Sequence, residues 1–154
     1  MSRLTVVAAG VLGLAAFTAL PAGAATSPAP AAVTTTTCGT SGLQSGLYTK
    51  VCAEITGDSV QLYGQISLAG PPSPVGPGSG WPPAPALITK LTGDIVGGAS
   101  LGVVNQNLYF DNQTTLIRGV GGTVPCGSVV HATFTVASYP WSPVPVTLDV
   151  PIAC

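Results

Sequence analysis

Nine formal charges among 154 residues, four from Lys or Arg and five from Asp or Glu, leave the chain at a net charge of −1. So few cations argue against nucleic-acid binding, which needs a cluster of them on phosphates, and against polybasic adhesion to a membrane surface. One histidine, His131, and four cysteines with no C-x-x-C spacing argue against a zinc site, and no D-x-D-x-D-G loop offers calcium a home.

The N-terminus reads as an export address. Met1-Ser2-Arg3 supplies one positive charge, Leu4 to Leu20 is a long apolar run, and Ala22-Gly23-Ala24 is a small-residue cleavage pattern. A signal peptide is therefore expected over 1–24, with Ala25 as a neighbouring cleavage point. The rival reading is a membrane span. The run of 17 residues sits at the short limit for crossing a bilayer, contains Gly10 and Gly13, and is followed by no cation before Lys50. The first cysteine is Cys38, so no lipidation site lies at the cleavage point. The expectation is a secreted, extracellular mature chain without a membrane span, carrying Lys50, Lys90 and Arg118 against Glu54, Asp58, Asp94, Asp111 and Asp149. The bias to Ala, Gly, Pro, Thr and Val suggests a GC-rich bacterial genome, where the glycosylation triplet Asn112-Gln113-Thr114 usually goes unused.

Residues 25–32 (ATSPAPAA) read as a flexible lead-in, and 33–154 as a single domain. Seventeen Gly and fourteen Pro beyond the leader would interrupt most helices. Period-2 alternation appears instead. A short strand is predicted near Val33 to Cys38. From Leu47 to Ile55 the apolar set Leu47, Val51, Ala53 and Ile55 opposes Tyr48, Lys50 and Glu54. From Val60, the set Val60, Leu62, Ile66 and Leu68 alternates with Gln61, Tyr63, Gln65 and Ser67. Thr56-Gly57-Asp58-Ser59 between them is a turn composition, so the two segments form a β-hairpin with one buried face.

Residues 70–85 break the rhythm. Eleven of these sixteen residues are Gly or Pro, which predicts a long surface loop of polyproline character. Ala86 to Thr92 is the next strand, ending at Gly93-Asp94. Leu101 to Phe110, the turn Asp111-Asn112-Gln113 and Thr114 to Val120 follow. Ser128 to Ser138 and Val144 to Ile152 close the series. Ile55-Thr56-Gly57-Asp58 echoes in Leu91-Thr92-Gly93-Asp94, which reads as a shared strand ending. Seven or eight short strands with Gly/Pro turns predict an all-β, antiparallel, immunoglobulin-like β-sandwich, stabilised by disulfides.

Cys38, Cys52, Cys126 and Cys154 allow three pairings. Cys52 falls in phase with Tyr48, Lys50 and Glu54, whereas Cys154 falls in phase with Val146, Leu148, Val150 and Ile152. That difference favours Cys38–Cys52 and Cys126–Cys154. A Cys52–Cys126 bridge, as in antibody domains, is the rival, but Trp81 is far from Cys52.

No catalytic residue is assigned. His131 falls out of phase with the apolar set of its strand and reads as solvent-facing, and no G-x-S-x-G elbow is present. A spatial triad escapes sequence reading. Asp58, Asp94 and Asp111 read as turn residues, while Glu54 and Asp149 lie singly on strands. No cofactor or metal is expected. The remaining signal is aromatic: Trp81 in Gly-Trp-Pro-Pro, and Tyr139 and Trp141 in Tyr-Pro-Trp-Ser-Pro. If those two loops share one end of the domain, the three rings form a platform for sugar rings or a hydrophobic protein partner; otherwise each ring packs on its own prolines. The leading expectation is a non-catalytic binding or surface-associated module for an extracellular glycan or protein. A secreted protease inhibitor and a structural matrix or coat component are the alternatives.

Overall fold

The computed structural model describes residues 32–70, 86–138 and 143–153. They form nine strands: β1 (Thr34–Cys38), β2 (Gly42–Gln44), β3 (Leu47–Thr56), β4 (Ser59–Leu68), β5 (Ala86–Ile95), β6 (Ser100–Tyr109), β7 (Thr115–Thr123), β8 (Val129–Ala137) and β9 (Val146–Pro151). Among the described residues no helix is long and apolar enough to cross a membrane.

Two antiparallel sheets result. The first runs β1-β3-β4-β7, with β2 also on β3, and the second runs β6-β5-β8-β9. The β3–β4 hairpin turns at Gly57-Asp58, as its composition predicts, and stays in register from Leu47↔Leu68 to Thr56↔Ser59. The alternating apolar residues of both sheets meet in one cluster that includes Val51, Leu62, Ile66, Leu91, Val120, Phe134 and Leu148. Burying a side chain of this size contributes about 1.5–3 kcal/mol, so the shared core dominates what holds the sheets together.

Two strand glycines shape that core. A Cβ on Gly64 of β4 would strike the ring of Phe134 on β8, and one on Gly93 of β5 would strike Leu62, with Val120 at 2.9 Å. Each sheet thus offers a bare backbone site to a large side chain of the other. This corrects one sequence expectation. Leu91-Thr92-Gly93-Asp94 is not a strand ending like Ile55-Thr56-Gly57-Asp58. β5 continues through it to Ile95, pairing Gly93 with Ala132 and Asp94 with His131. Gly93 is there because of packing, and Asp94 is a strand residue on the exposed face.

A second difference concerns β6 and β7. Asp111 and Asn112 do make a tight turn: Asp111 Oδ1 accepts the Gln113 N–H at 3.1 Å, and Asn112 has φ 65°. Yet the strands on either side join different sheets, so the turn is a crossing between layers and not a hairpin.

β2 escapes the sequence reading altogether. Together with β1 it lines one edge of β3. Cys38 faces Cys52 while Gly42 faces Thr49, so Gly39, Thr40 and Ser41 oppose Lys50 and Val51, a one-residue bulge. The β2–β3 turn has positive φ at both central residues, Ser45 (51°) and Gly46 (77°), the type I′ geometry that suits a two-residue hairpin.

Candidate functional site

Strand register arranges the exposed face of the second sheet in rows. At one end lie Asp94, His131 and Asp149, directly opposite one another across β5, β8 and β9. Thr92, Thr133 and Thr147 form the next row, then Lys90 with Thr135, then Ile88 with Ala137. β6 continues these rows with Val103, Asn105, Asn107 and, beside Ala86, Tyr109. The face therefore grades from a charged end to an apolar one. Ile88 is 61% exposed and Tyr109 75%.

Trp81, Tyr139 and Trp141 lie outside the described residues, and so does residue 154. The strand ends that lead to them are described. Ala86 opens β5, Ala137 closes β8, and the two strands are neighbours there, with Ile88 opposite Ala137. Both aromatic-bearing segments therefore join the sheet at its apolar end, the end that also carries Tyr109.

At the charged end, His131 and Asp149 are joined: Nδ1 and Oδ1 lie 2.6 Å apart. A carboxylate only accepts, so Nδ1 carries the proton, and the Nε2 of a neutral imidazole accepts from Thr133 Oγ1 at 3.3 Å. Asp149 is thus not a lone strand carboxylate. Hydroxyl, imidazole and carboxylate in a chain follow the nucleophile–base–orienter order of a triad. Acyl transfer further requires N–H donors aimed at a developing oxyanion. Thr133 sits in mid-β8, paired with Thr92 on one side and Thr147 on the other, so the local backbone N–H groups serve the sheet. The chemistry this row supports is the fixing of an imidazole on an open surface. Among the described residues no group of three or more His, Cys, Asp or Glu is placed to hold a metal ion.

The outer face of the first sheet is organised differently. Cys38 and Cys52, opposed on β1 and β3 with Cα atoms 4.0 Å apart, form a disulfide. This bond rules out the Cys52–Cys126 alternative. Cys126 is also disulfide-bonded; the expected partner, Cys154, lies outside the described residues. Cys52 pairs with Tyr63 on β4, and the Arg118 guanidinium lies 4.6 Å from the centre of the Tyr63 ring. Arg118 also donates to both carboxylate oxygens of Glu54, at 2.8 and 2.9 Å. Glu54, like Asp149, has a partner that lay hidden in the linear order of the chain. The charge-assisted hydrogen bonds from Arg118 lower the Glu54 carboxyl below its ordinary 4.5, and the same bonds raise the guanidinium. Nearby, Ser41, Tyr48, Thr49, Lys50, Gln65 and Ser67 line a depression of about 240 Å³. It is smaller than the pockets that typically enclose small-molecule ligands.

No protein-family model matches the chain, and neither curated proteins nor solved structures gave a match.

Proposed function

We propose that this chain is a secreted, non-catalytic binding module, an immunoglobulin-like β-sandwich that recognises an extracellular glycan or protein through the apolar end of its second sheet. The observation that carries the reading is the pairing of Ile88 with Ala137, which gives the Trp81 segment and the Tyr139–Trp141 segment a common origin beside exposed Tyr109. Rings carried near one end of a rigid sheet would suit stacking on pyranose rings or on an apolar partner segment. The sandwich reading is supported by two antiparallel sheets sharing one core. The Cys38–Cys52 disulfide is compatible with an oxidising, extracellular setting.

Tryptophan fluorescence of the purified protein, titrated with a panel of polysaccharides, cell-wall fragments and candidate proteins, tests the proposal. A saturable shift is expected with one class of ligand, weakened by Trp81→Ala, Trp141→Ala and Tyr109→Ala. Absence of any shift across the panel, or a shift indifferent to all three substitutions, rejects the site.

A further inference from the structure

Among the described residues strand β6 is an edge, pairing with β5 alone. It carries no charge and no proline over its ten residues, SLGVVNQNLY. Edges of this kind invite another strand, and proteins ordinarily blunt them with lysine, proline, bulges or covering segments. The other sheet edges here show such devices. Beside β9, Gly39 packs on the Thr147 carbonyl, leaving no room for a Cβ, and Gly42 lies against Val146. β7 carries Arg118 and is kinked by an extra residue, Gly119, at φ 119°. β1 is five residues long and ends in the Gly39–Ser41 bulge. The irregularity in β6 is confined to its start, near Gly102, leaving Val103 to Tyr109 regular against β5.

The sequence of that regular stretch is symmetric about its middle. Val103-Val104-Asn105-Gln106-Asn107-Leu108-Tyr109 reads, in both directions, as two apolar residues, an asparagine and the central Gln106. We infer that β6 is a self-recognition strand: two copies of this chain join antiparallel through β6 about a two-fold axis at Gln106, extending each four-stranded sheet into one of eight. In that register Val103 faces Tyr109 of the second copy on the outer surface, and Asn105 faces Asn107. On the core side Val104 faces Leu108, and Gln106 faces its own counterpart. Aromatic–β-branched pairs are favourable cross-strand neighbours, and the facing amides can satisfy each other. A two-fold interface must be self-complementary, which is the property this pattern has. The exposed side chains agree: Val103 and Tyr109, the outer apolar pair, are both solvent-facing in the single chain.

Sedimentation of the native chain across a concentration series, alongside Val103→Lys and Asn105→Lys, is the test. The native chain is expected to dimerise, and each lysine variant to remain monomeric where the native chain is dimeric, with an unchanged circular dichroism spectrum. A strict monomer throughout the series overturns the inference, as does a dimer indifferent to both lysines. A second variant, Gln106→Cys, reads the register. The cysteines would meet on the two-fold axis at strand-pair distance, so air oxidation should give a covalent dimer in high yield. A covalent dimer equally abundant in Asn112→Cys, placed in the turn after β6, would overturn the register. Tyr109 belongs to both surfaces, whereas Val103, Asn105 and Gln106 belong to the strand pairing alone and Trp81 and Trp141 to the ligand site alone. Variants at these residues therefore let the inference and the ligand site fail or stand separately.

Discussion

Gln44 completes the hydrogen bonding of Val136. The Val136 N–H donates to Gln44 Oε1 at 2.9 Å, and Gln44 Nε2 donates to the Phe134 carbonyl at 3.1 Å. β9 pairs with β8 only from Val129 to Phe134. Where β9 stops, the primary amide of a residue from the other sheet takes the place of a backbone. Gln44 Nε2 also donates to Thr49 Oγ1 at 2.7 Å, and Ser45 Oγ donates to the Val136 carbonyl at 3.1 Å. The tip of the β2–β3 hairpin is thereby fastened to the second sheet. At 2% exposure Gln44 is fully satisfied, and no buried side-chain nitrogen or oxygen among the described residues lacks a partner.

Gln44→Ala is therefore expected to destabilise by about 2–6 kcal/mol, because it strands at least two buried backbone groups that each cost roughly 1–3 kcal/mol when unpaired. Gln44→Glu keeps the shape and removes the donor, and should cost at least as much. Urea unfolding midpoints measure both. A change within error for Gln44→Ala would mean that water replaces the amide without penalty.

Gly64→Ala should destabilise by about 1–3 kcal/mol, the usual cost of forcing a methyl into a filled core, since the new Cβ meets the Phe134 ring. Phe134→Leu alone is also expected to be destabilising. Combined with Gly64→Ala it should cost less than the sum of the two, and a double-mutant cycle by chemical denaturation checks this. Strict additivity would show that the two positions do not share space.

Loss of the Cys38–Cys52 bond in a Cys38→Ser, Cys52→Ser double variant is expected to lower stability by about 3 kcal/mol, the chain-entropy value for a loop near fifteen residues; the observed separation is 14. Denaturation under non-reducing conditions measures it. A fall below one third of that value would place the bond's effect elsewhere than in the unfolded chain.

The Glu54–Arg118 pair makes a signed prediction in acid. The native pKa of Glu54 is lowered from 4.5, with Arg118 hydrogen bonding as the main cause. A depressed native pKa means that the pair's contribution is complete above the unfolded value and is lost as pH falls through the native one. Glu54→Gln should accordingly flatten the loss of stability below about pH 4.5. Both groups are solvent-facing, so the effect is small. Parallel pH profiles for parent and variant would contradict the linkage.

What the chain discloses before folding divides along local and non-local lines. The β3–β4 hairpin is legible because alternation and a turn composition coincide within twenty-odd residues. Gly93 misleads because its surroundings, Leu62 and Val120, are distant in sequence. β2 has three residues, too few for a period to register, and Gln44 looks like a surface residue until β8 arrives from 90 positions away. The Arg118–Glu54 and His131–Asp149 pairs stand 64 and 18 residues apart, and each is created by register across strands. The disulfide between Cys38 and Cys52 was approachable because strand phase separates Cys52 from Cys154. For the aromatic segments, the sequence supplies the rings, and the fold shows only that Ala86 and Ala137, the described strand ends that lead to them, lie on neighbouring strands.

The vacancy at Gly64 couples two distant letters of the chain. A side chain acquired at position 64 is best accommodated by a loss of volume at position 134, and an aromatic at 134 favours a hydrogen at 64. Drift at these sites is consequently pairwise, and a shared glycine–aromatic signature of this kind would trace kinship where overall resemblance has faded.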